Sequence, residues 1–258
     1  MSGKCKFNGG QPGRSFRLVQ RAMVKRFFVT GTNTGVGKTL ISTALLATAR
    51  DSGLTTVGLK PVAAGCEVTD EGLRNADALS LLAQSSLPLS YEEVNPVALA
   101  PAIAPHIAAA EAGRRLSAER LAGFCRGIML QPVDLLLIEG AGGWRVPLNE
   151  RETFADLAKT LQLPVILVVA MELGCINHAL LSAEAIQRDG LKMAGWVANQ
   201  VCPEQMGRYH ETLASLQARL PCPMIGAVPW LSNPTPEQAK PFLKPEFLTA
   251  KNQLTSGE

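Results

Sequence analysis

The residues best equipped for chemistry form one run, GTNTGVGKT, from Gly31 to Thr39. Small residues let successive backbone N–H groups turn toward an anion, and a helix starting directly after them adds the positive end of its dipole. Lys38 can then reach terminal phosphates while the Thr39 hydroxyl suits Mg2+. The spacing departs from the usual phosphate loop, because Thr32 stands where the first glycine is expected and Gly31 lies one place early. The strand before the run and the GKT triplet that opens the helix still predict a phosphate loop rather than a ligand-free glycine turn.

In an open parallel sheet, ligands bind beyond the carboxyl ends of the strands, so the residue after each apolar run is a candidate. Lys60 follows GL in GLKPVAAG, where it is either a solvated charge or, because Pro61 ends the strand and keeps Lys60 extended, a rim residue beside the loop. Asp77, in RNADAL, reads as a helix-start carboxylate or as a second metal-facing one. Glu139 directly follows DLLLI, the place where a carboxylate addresses Mg2+ or its water, and Gly140, Ala141, Gly142 and Gly143 behind it permit close backbone approach. Gly174, Cys175, Ile176 and Asn177 open a helix whose free N–H groups could take a carboxylate, although a plain helix start with Gly174 or Asn177 near the cap explains them equally. Asn199 and Pro229 end the last two apolar runs, and an asparagine amide suits a purine edge. His106, His178 and His210 lack any partner pattern for nucleophilic catalysis and read as structural, and Trp144, Trp196 and Trp230 as core or interface residues.

These candidates need a scaffold, and the apolar pattern supplies one. Short apolar runs alternate with helix-period segments from Lys25 onward, which predicts βα units on a parallel sheet. Strands are expected at 26–30, 55–59, 134–138, 164–170, 193–198 and 224–228. Helices are expected at 38–52, 77–84, 107–112, 117–129, 154–162, 176–189 and 206–220. Runs such as LLLI and VILVVA do not alternate, so the sheet should be covered on both faces. The expectation is one doubly wound α/β domain over 25–232, with a mostly parallel central sheet flanked by helices. A leader over 1–24 and a Pro-rich tail over 233–258 would bracket it; Pro234, Pro236, Pro241 and Pro245 should interrupt regular structure in that tail and lay it over the surface.

Composition excludes several classes. At 258 residues the chain can bury a sizeable core without disulfides or metal staples. Leu163 to Met171, its longest strongly apolar stretch, is less than half the length of a membrane-spanning helix. Six cysteines without a CxxC or Cys/His cluster indicate neither a zinc site nor a disulfide framework, and a reducing cytoplasm fits them. The overall charge of +3 divides into +5 on residues 1–22 and therefore −2 on the remainder, so the body shows no basic excess for nucleic acid. The leader reads as disordered, as a targeting segment, an added extension or sequence upstream of a start at Met23.

Taken in order, FVTGTNTGVGKT, GLKPVAAG, GLRNADAL, NPVALAPAIAPHIAA, EGAGGW, LPVILVV, LGCINHALL, GWVANQV and VPWL resemble the dethiobiotin synthetase family over roughly residues 26–231. The ensemble carries that resemblance, because a phosphate loop alone marks only a very large superfamily. It implies a doubly wound homodimer that uses ATP, Mg2+, CO2 or bicarbonate, and 7,8-diaminopelargonate (7,8-diaminononanoate). Carried over by motif, Thr34, Gly35, Val36, Gly37, Lys38 and Thr39 would hold the phosphates, and Gly140, Ala141 and Gly142 would lie against the nucleotide. Thr39, Asp77 and Glu139 would address Mg2+. Lys38 and Lys60 would be the catalytic cations, with Lys60 between carbamate and γ-phosphate. Gly174 to Asn177 of the second subunit would take the substrate carboxylate, and Asn199 and Pro229 would lie at adenine. Two departures stand out: Ala64 occupies a substrate-side position where the family usually has a hydroxyl residue, and SNPTPE follows PWL where an acidic residue is usual.

Two rival readings share the fold. An amide ligase of the cobyrinate-diamide synthetase type usually carries an attached glutaminase domain, for which no length remains. A partition or division-positioning ATPase relies on a lysine early in its phosphate loop, where this chain has Asn33.

Overall fold

A computed structural model describes residues 24–244 and 246–249. The expectations for the leader and for the end of the tail lie outside the described residues.

Ten strands and ten α-helices follow one another among these residues. The first unit is β1 (Lys25–Gly31), α1 (Lys38–Asp51) and β2 (Thr56–Leu59). A side excursion follows, made of β3 (Val62–Ala64), β4 (Glu67–Thr69), β5 (Gly72–Arg74), α2 (Ala76–Ala83), α3 (Tyr91–Val94), β6 (Val97–Leu99) and α4 (Pro105–Glu111). The chain then returns through α5 (Ala118–Met129), β7 (Leu135–Gly143), α6 (Phe154–Leu161), β8 (Val165–Ala170), α7 (Cys175–Arg188), β9 (Met193–Asn199), α8 (Tyr209–Arg219) and β10 (Met224–Val228). It finishes with α9 (Pro236–Ala239), a 3-10 turn (Lys240–Phe242) and α10 (Glu246–Thr249).

Six strands make the central sheet in the order β10-β9-β8-β1-β7-β2, every neighbouring pair parallel. Its middle is apolar throughout: all six residues of β8 are buried, as are Leu135 to Ile138 of β7. That is the pattern of strands sandwiched between helices. On one stretch α1 packs against β1, β2 and β7; elsewhere α7 lies on β8 and β9, and α5 pairs with α6.

Register decides which polar residues meet. Leu59 pairs with Ile138, so the residues that follow, Lys60 and Glu139, leave the sheet level with each other. Val29 pairs with Glu139, which brings the start of the phosphate loop to the same rim. Beyond that point Gly31 pairs with Gly143, so β7 carries two extra residues there and bulges outward before rejoining β1.

Most elements follow the apolar pattern closely, and the differences are local. The β3–β6 pair is parallel and forms a separate small sheet, and β4–β5 is a hairpin; three-residue strands carry too little periodicity to be read from sequence. In the described part of the tail, Pro236 and Pro241 stand at the start of helical turns rather than preventing them. Pro236 sits in the first turn of α9, where its missing N–H costs nothing, and the Thr235 hydroxyl accepts from Gln238 N at 3.3 Å. That helix packs on α1, Lys240 pairs with Asp51 at 2.5 Å, and buried Leu243 bridges to Gly226. Trp144 and Trp196 are buried as expected, whereas Trp230 is 40% exposed.

Candidate active site

At the carboxyl end of the sheet a cavity of about 720 Å3 opens between the phosphate loop and the side excursion. Thr34, Gly35, Gly37, Lys38 and Thr39 line one flank, and Ala141 and Gly142 the bulge of β7. The opposite wall is Ala63, Ala64 and the segment Ala102 to Pro105, while Lys60, Asn75 and Asp77 border the remaining space.

Backbone geometry forms the loop. Gly37 has φ 86°, and a Cβ there would collide with the side-chain amide of Asn199, whose Nδ2 donates to Val36 O at 2.9 Å. Both constraints require glycine directly before the helix. Lys38, buried at the start of α1, donates to Asn33 O at 3.2 Å, folding back over its own loop. Burial, aided by the nearby Lys60 charge and opposed by Glu139 and Asp77, pulls the Lys38 ammonium down to about 8.

Beneath the cavity lies a buried charge cluster. Lys60 is buried rather than solvated, and its Nζ donates to Glu139 Oε1 at 2.5 Å, Asp77 Oδ2 at 3.0 Å and Gly140 O at 3.4 Å. Glu139 is 0% exposed. Its Oε1 also accepts from Thr39 Oγ1 at 2.8 Å, and its Oε2 from Ser42 Oγ at 2.9 Å. Asp77 is half-buried and is not the cap of its helix; Asn75 Oδ1 performs that role, accepting from Asp77 N and Ala78 N. Burial alone would lower the Lys60 ammonium, yet the two carboxylates beside it raise it above the ordinary lysine range. Burial likewise pushes against ionised Asp77, and Lys60, with Thr39 and Lys38, still holds its carboxyl below the usual range.

A polar chain fixes this cluster from behind. Lys60 N donates to Val94 O at 2.9 Å, and buried Asn95 Nδ2 donates to Lys60 O at 2.6 Å. Tyr91 Oη donates to Asn95 Oδ1 at 3.0 Å and accepts from Asn75 N at 2.8 Å. One network therefore sets both the backbone of Lys60 and the helix that presents Asp77. Ser42, Asn75, Tyr91 and Asn95 escaped the sequence reading. Ser42 is detectable as a hydroxyl one helical turn after Thr39, and Asn75 as a cap residue before an apolar run.

Other candidates lie apart from the cavity wall. Val36 turns its side chain into the core, and Gly140 packs against the Phe28 ring. Asn199 sits behind the phosphate loop, and Pro229 follows the neighbouring end of β10. Gly174 is the N-cap of α7 with φ 97°, Cys175 is buried, and the exposed start of that helix does not border this cavity.

A parallel sheet with the phosphate loop between β1 and α1, and a strand-end carboxylate level with it, defines a phosphate-loop NTPase. Comparison agrees: a family model described as an AAA domain matches residues 25–238. The septum site-determining protein MinD of Pyrococcus horikoshii, solved with Mg-ADP, superposes with a TM-score of 0.53 at 14% identity, covering 88% of this chain and 89% of that one. That likeness shows the fold alone. The ATP-dependent dethiobiotin synthetase of Cellvibrio japonicus is 61% identical over 219 residues, 85% of this chain and 95% of its own. That of Marinobacter nauticus is 57% identical over 207 residues, 80% and 88% of the two chains. The chain belongs to the ATP-dependent dethiobiotin synthetase family, ligases of biotin biosynthesis that use ATP. Among the described residues no helix is long and apolar enough to cross a membrane.

Proposed function

We propose that the protein carboxylates 7,8-diaminopelargonate with CO2 and closes the ureido ring of dethiobiotin at the expense of ATP, working in the cytoplasm as a homodimer. The observation that carries this reading is the Lys60 ammonium, held over Glu139 and Asp77 at the floor of a cavity flanked by the phosphate loop. One substrate amine captures CO2 as a carbamate and loses a proton. A carbamate oxygen attacks the γ-phosphorus, releasing ADP and leaving a carbamic-phosphoric anhydride. The second amine attacks the carbonyl carbon, the ring closes and phosphate departs. Two anions must therefore be brought together, and the main task is neutralisation and alignment.

The residues at hand suit that task. Backbone N–H groups from Thr34 to Thr39 cradle the phosphates, and Lys38 unfolds from Asn33 O to reach them. Lys60 is the cation placed between carbamate and γ-phosphate. Ala141 and Gly142, which line the cavity, lie against the nucleotide, with Gly140 behind them and Asn199 and Pro229 on the adenine side. Thr39, Asp77 and Glu139 would hold Mg2+: all three offer oxygen, which a hard cation prefers, and both carboxylates already converge on one positive point. When bound, the ion supplies countercharge to the phosphates. Gly174 to Asn177 take the substrate carboxylate across the dimer, in keeping with their separation from this chain's own cavity.

The reading requires that purified protein release phosphate from ATP only when both the diamine and bicarbonate are present. A release rate unchanged by omitting the diamine would assign the site to a different ATPase chemistry. Ala64 provides a finer check, since it lines the cavity without a side-chain donor. Restoring a hydroxyl with Ala64→Ser adds one neutral hydrogen bond, about 0.5–1.5 kcal/mol, and should lower the KM for the diamine roughly 2- to 10-fold with kcat unchanged. An unaltered KM would remove position 64 from substrate recognition.

A further inference from the structure

We propose that the Lys60 ammonium and the divalent cation are alternative occupants of the same carboxylate pair, so that entry of the cation is the event that releases Lys60 toward the reactants. The inference rests on the reading of Asp77 and Glu139 as the metal carboxylates, and deepens it.

An ammonium has three donors, and those of Lys60 face Glu139 Oε1, Asp77 Oδ2 and Gly140 O. None is left for a substrate oxygen. On the other side of the contact, Glu139 is engaged at both oxygens: Lys60 and Thr39 share Oε1, and Ser42 donates to Oε2. A carboxylate at 0% exposure needs a cationic partner at all times, because an uncompensated buried charge is strongly unfavourable. Lys60 is that partner here. A divalent cation on the same oxygens satisfies the requirement equally well, but it repels an ammonium at contact distance, so the two exclude each other.

The exchange needs only a side-chain swing. Val94 O and Asn95 Nδ2 clamp the Lys60 backbone on both sides, and Ser42 keeps its hold on the far oxygen of Glu139. Lys60 already borders the cavity, so that open space is where a displaced ammonium goes. The consequence is an order of loading: the cation that activates the nucleotide also frees the lysine that meets it, and without the cation Lys60 stays neutralised.

The test uses full-length protein with Mn2+ alone, free of nucleotide and diamine. Titration followed by electron paramagnetic resonance should show Lys60→Gln binding Mn2+ about tenfold or more tightly than wild type, because the resident competitor has gone. Equal or weaker binding by the variant, or no binding by either protein, would overturn the proposal. Should Lys60→Gln fail to fold, wild-type protein answers the question: acylation of Lys60 by an N-hydroxysuccinimide ester, read by mass spectrometry, should rise severalfold on saturation with Mn2+. Labelling unchanged by the metal would overturn it as well. Neither readout involves turnover, so a failed diamine-dependence assay would leave this result standing, and the reverse also holds.

Discussion

Lys60→Gln should lower kcat by about 10³-fold or more while ADP, measured without metal, binds within about threefold of wild type. Glutamine retains a polar tip but not the charge, and charge is what two converging anions require. The phosphate loop is built from backbone N–H groups and Lys38, none of which depends on Lys60 for its position. Steady-state kinetics and calorimetry separate the two effects. Full activity in the variant would remove Lys60 from the mechanism; a parallel loss of ADP affinity would show that it shapes the loop instead.

Glu139→Ala should be the most damaging substitution in the site for the fold itself. It strips the buried Lys60 ammonium of its closest partner and takes from the buried Ser42 hydroxyl its carboxylate acceptor. Asp77 remains, so the low end of the usual cost applies, about 3 kcal/mol, corresponding to a Tm lower by about 6–12 °C. The double variant Lys60→Gln/Glu139→Gln removes both charges and should lose less stability than the two single changes added together. Thermal denaturation of wild type, Glu139→Ala, Lys60→Gln, Glu139→Gln and the double variant decides both points. A Tm unmoved in Glu139→Ala, or strict additivity, would mean that the pair contributes little.

Much of this arrangement was legible in the chain because it depends on where strands end. A run of buried apolar residues marks a strand, and in a parallel sheet the carboxyl ends of strands share one rim, so sequence alone sets Lys60 and Glu139 near the loop. What sequence could not supply was register and depth. Lys60 was balanced between a solvated charge and a rim residue; the pairing of Leu59 with Ile138 turns it inward onto Glu139. Asp77 reads from sequence as either a helix-start carboxylate or a metal-facing one; it lies in the first turn of α2 behind the Asn75 cap, and only tertiary structure shows that it also pairs with Lys60. The Tyr91–Asn95 relay joins residues whose meeting depends on a tertiary path, which leaves no periodic trace. Proline in the tail reads as a breaker of regular structure, yet at Pro236 it opens α9, because a missing N–H is harmless in a first turn.

The small β3–β6 sheet stands outside the six-stranded one, and the wall it builds with Ala102 to Pro105 faces the phosphate loop across the cavity. On the proposed reading, the wall that faces the reacting amines and the loop that faces the triphosphate come from separate stretches of polypeptide, joined through the Lys60 backbone. Exchange of the wall segments 62–64 and 102–105 alone would then reshape the space offered to the amine, while Asp77, its Asn75 cap and the Asn95 clasp stay in place.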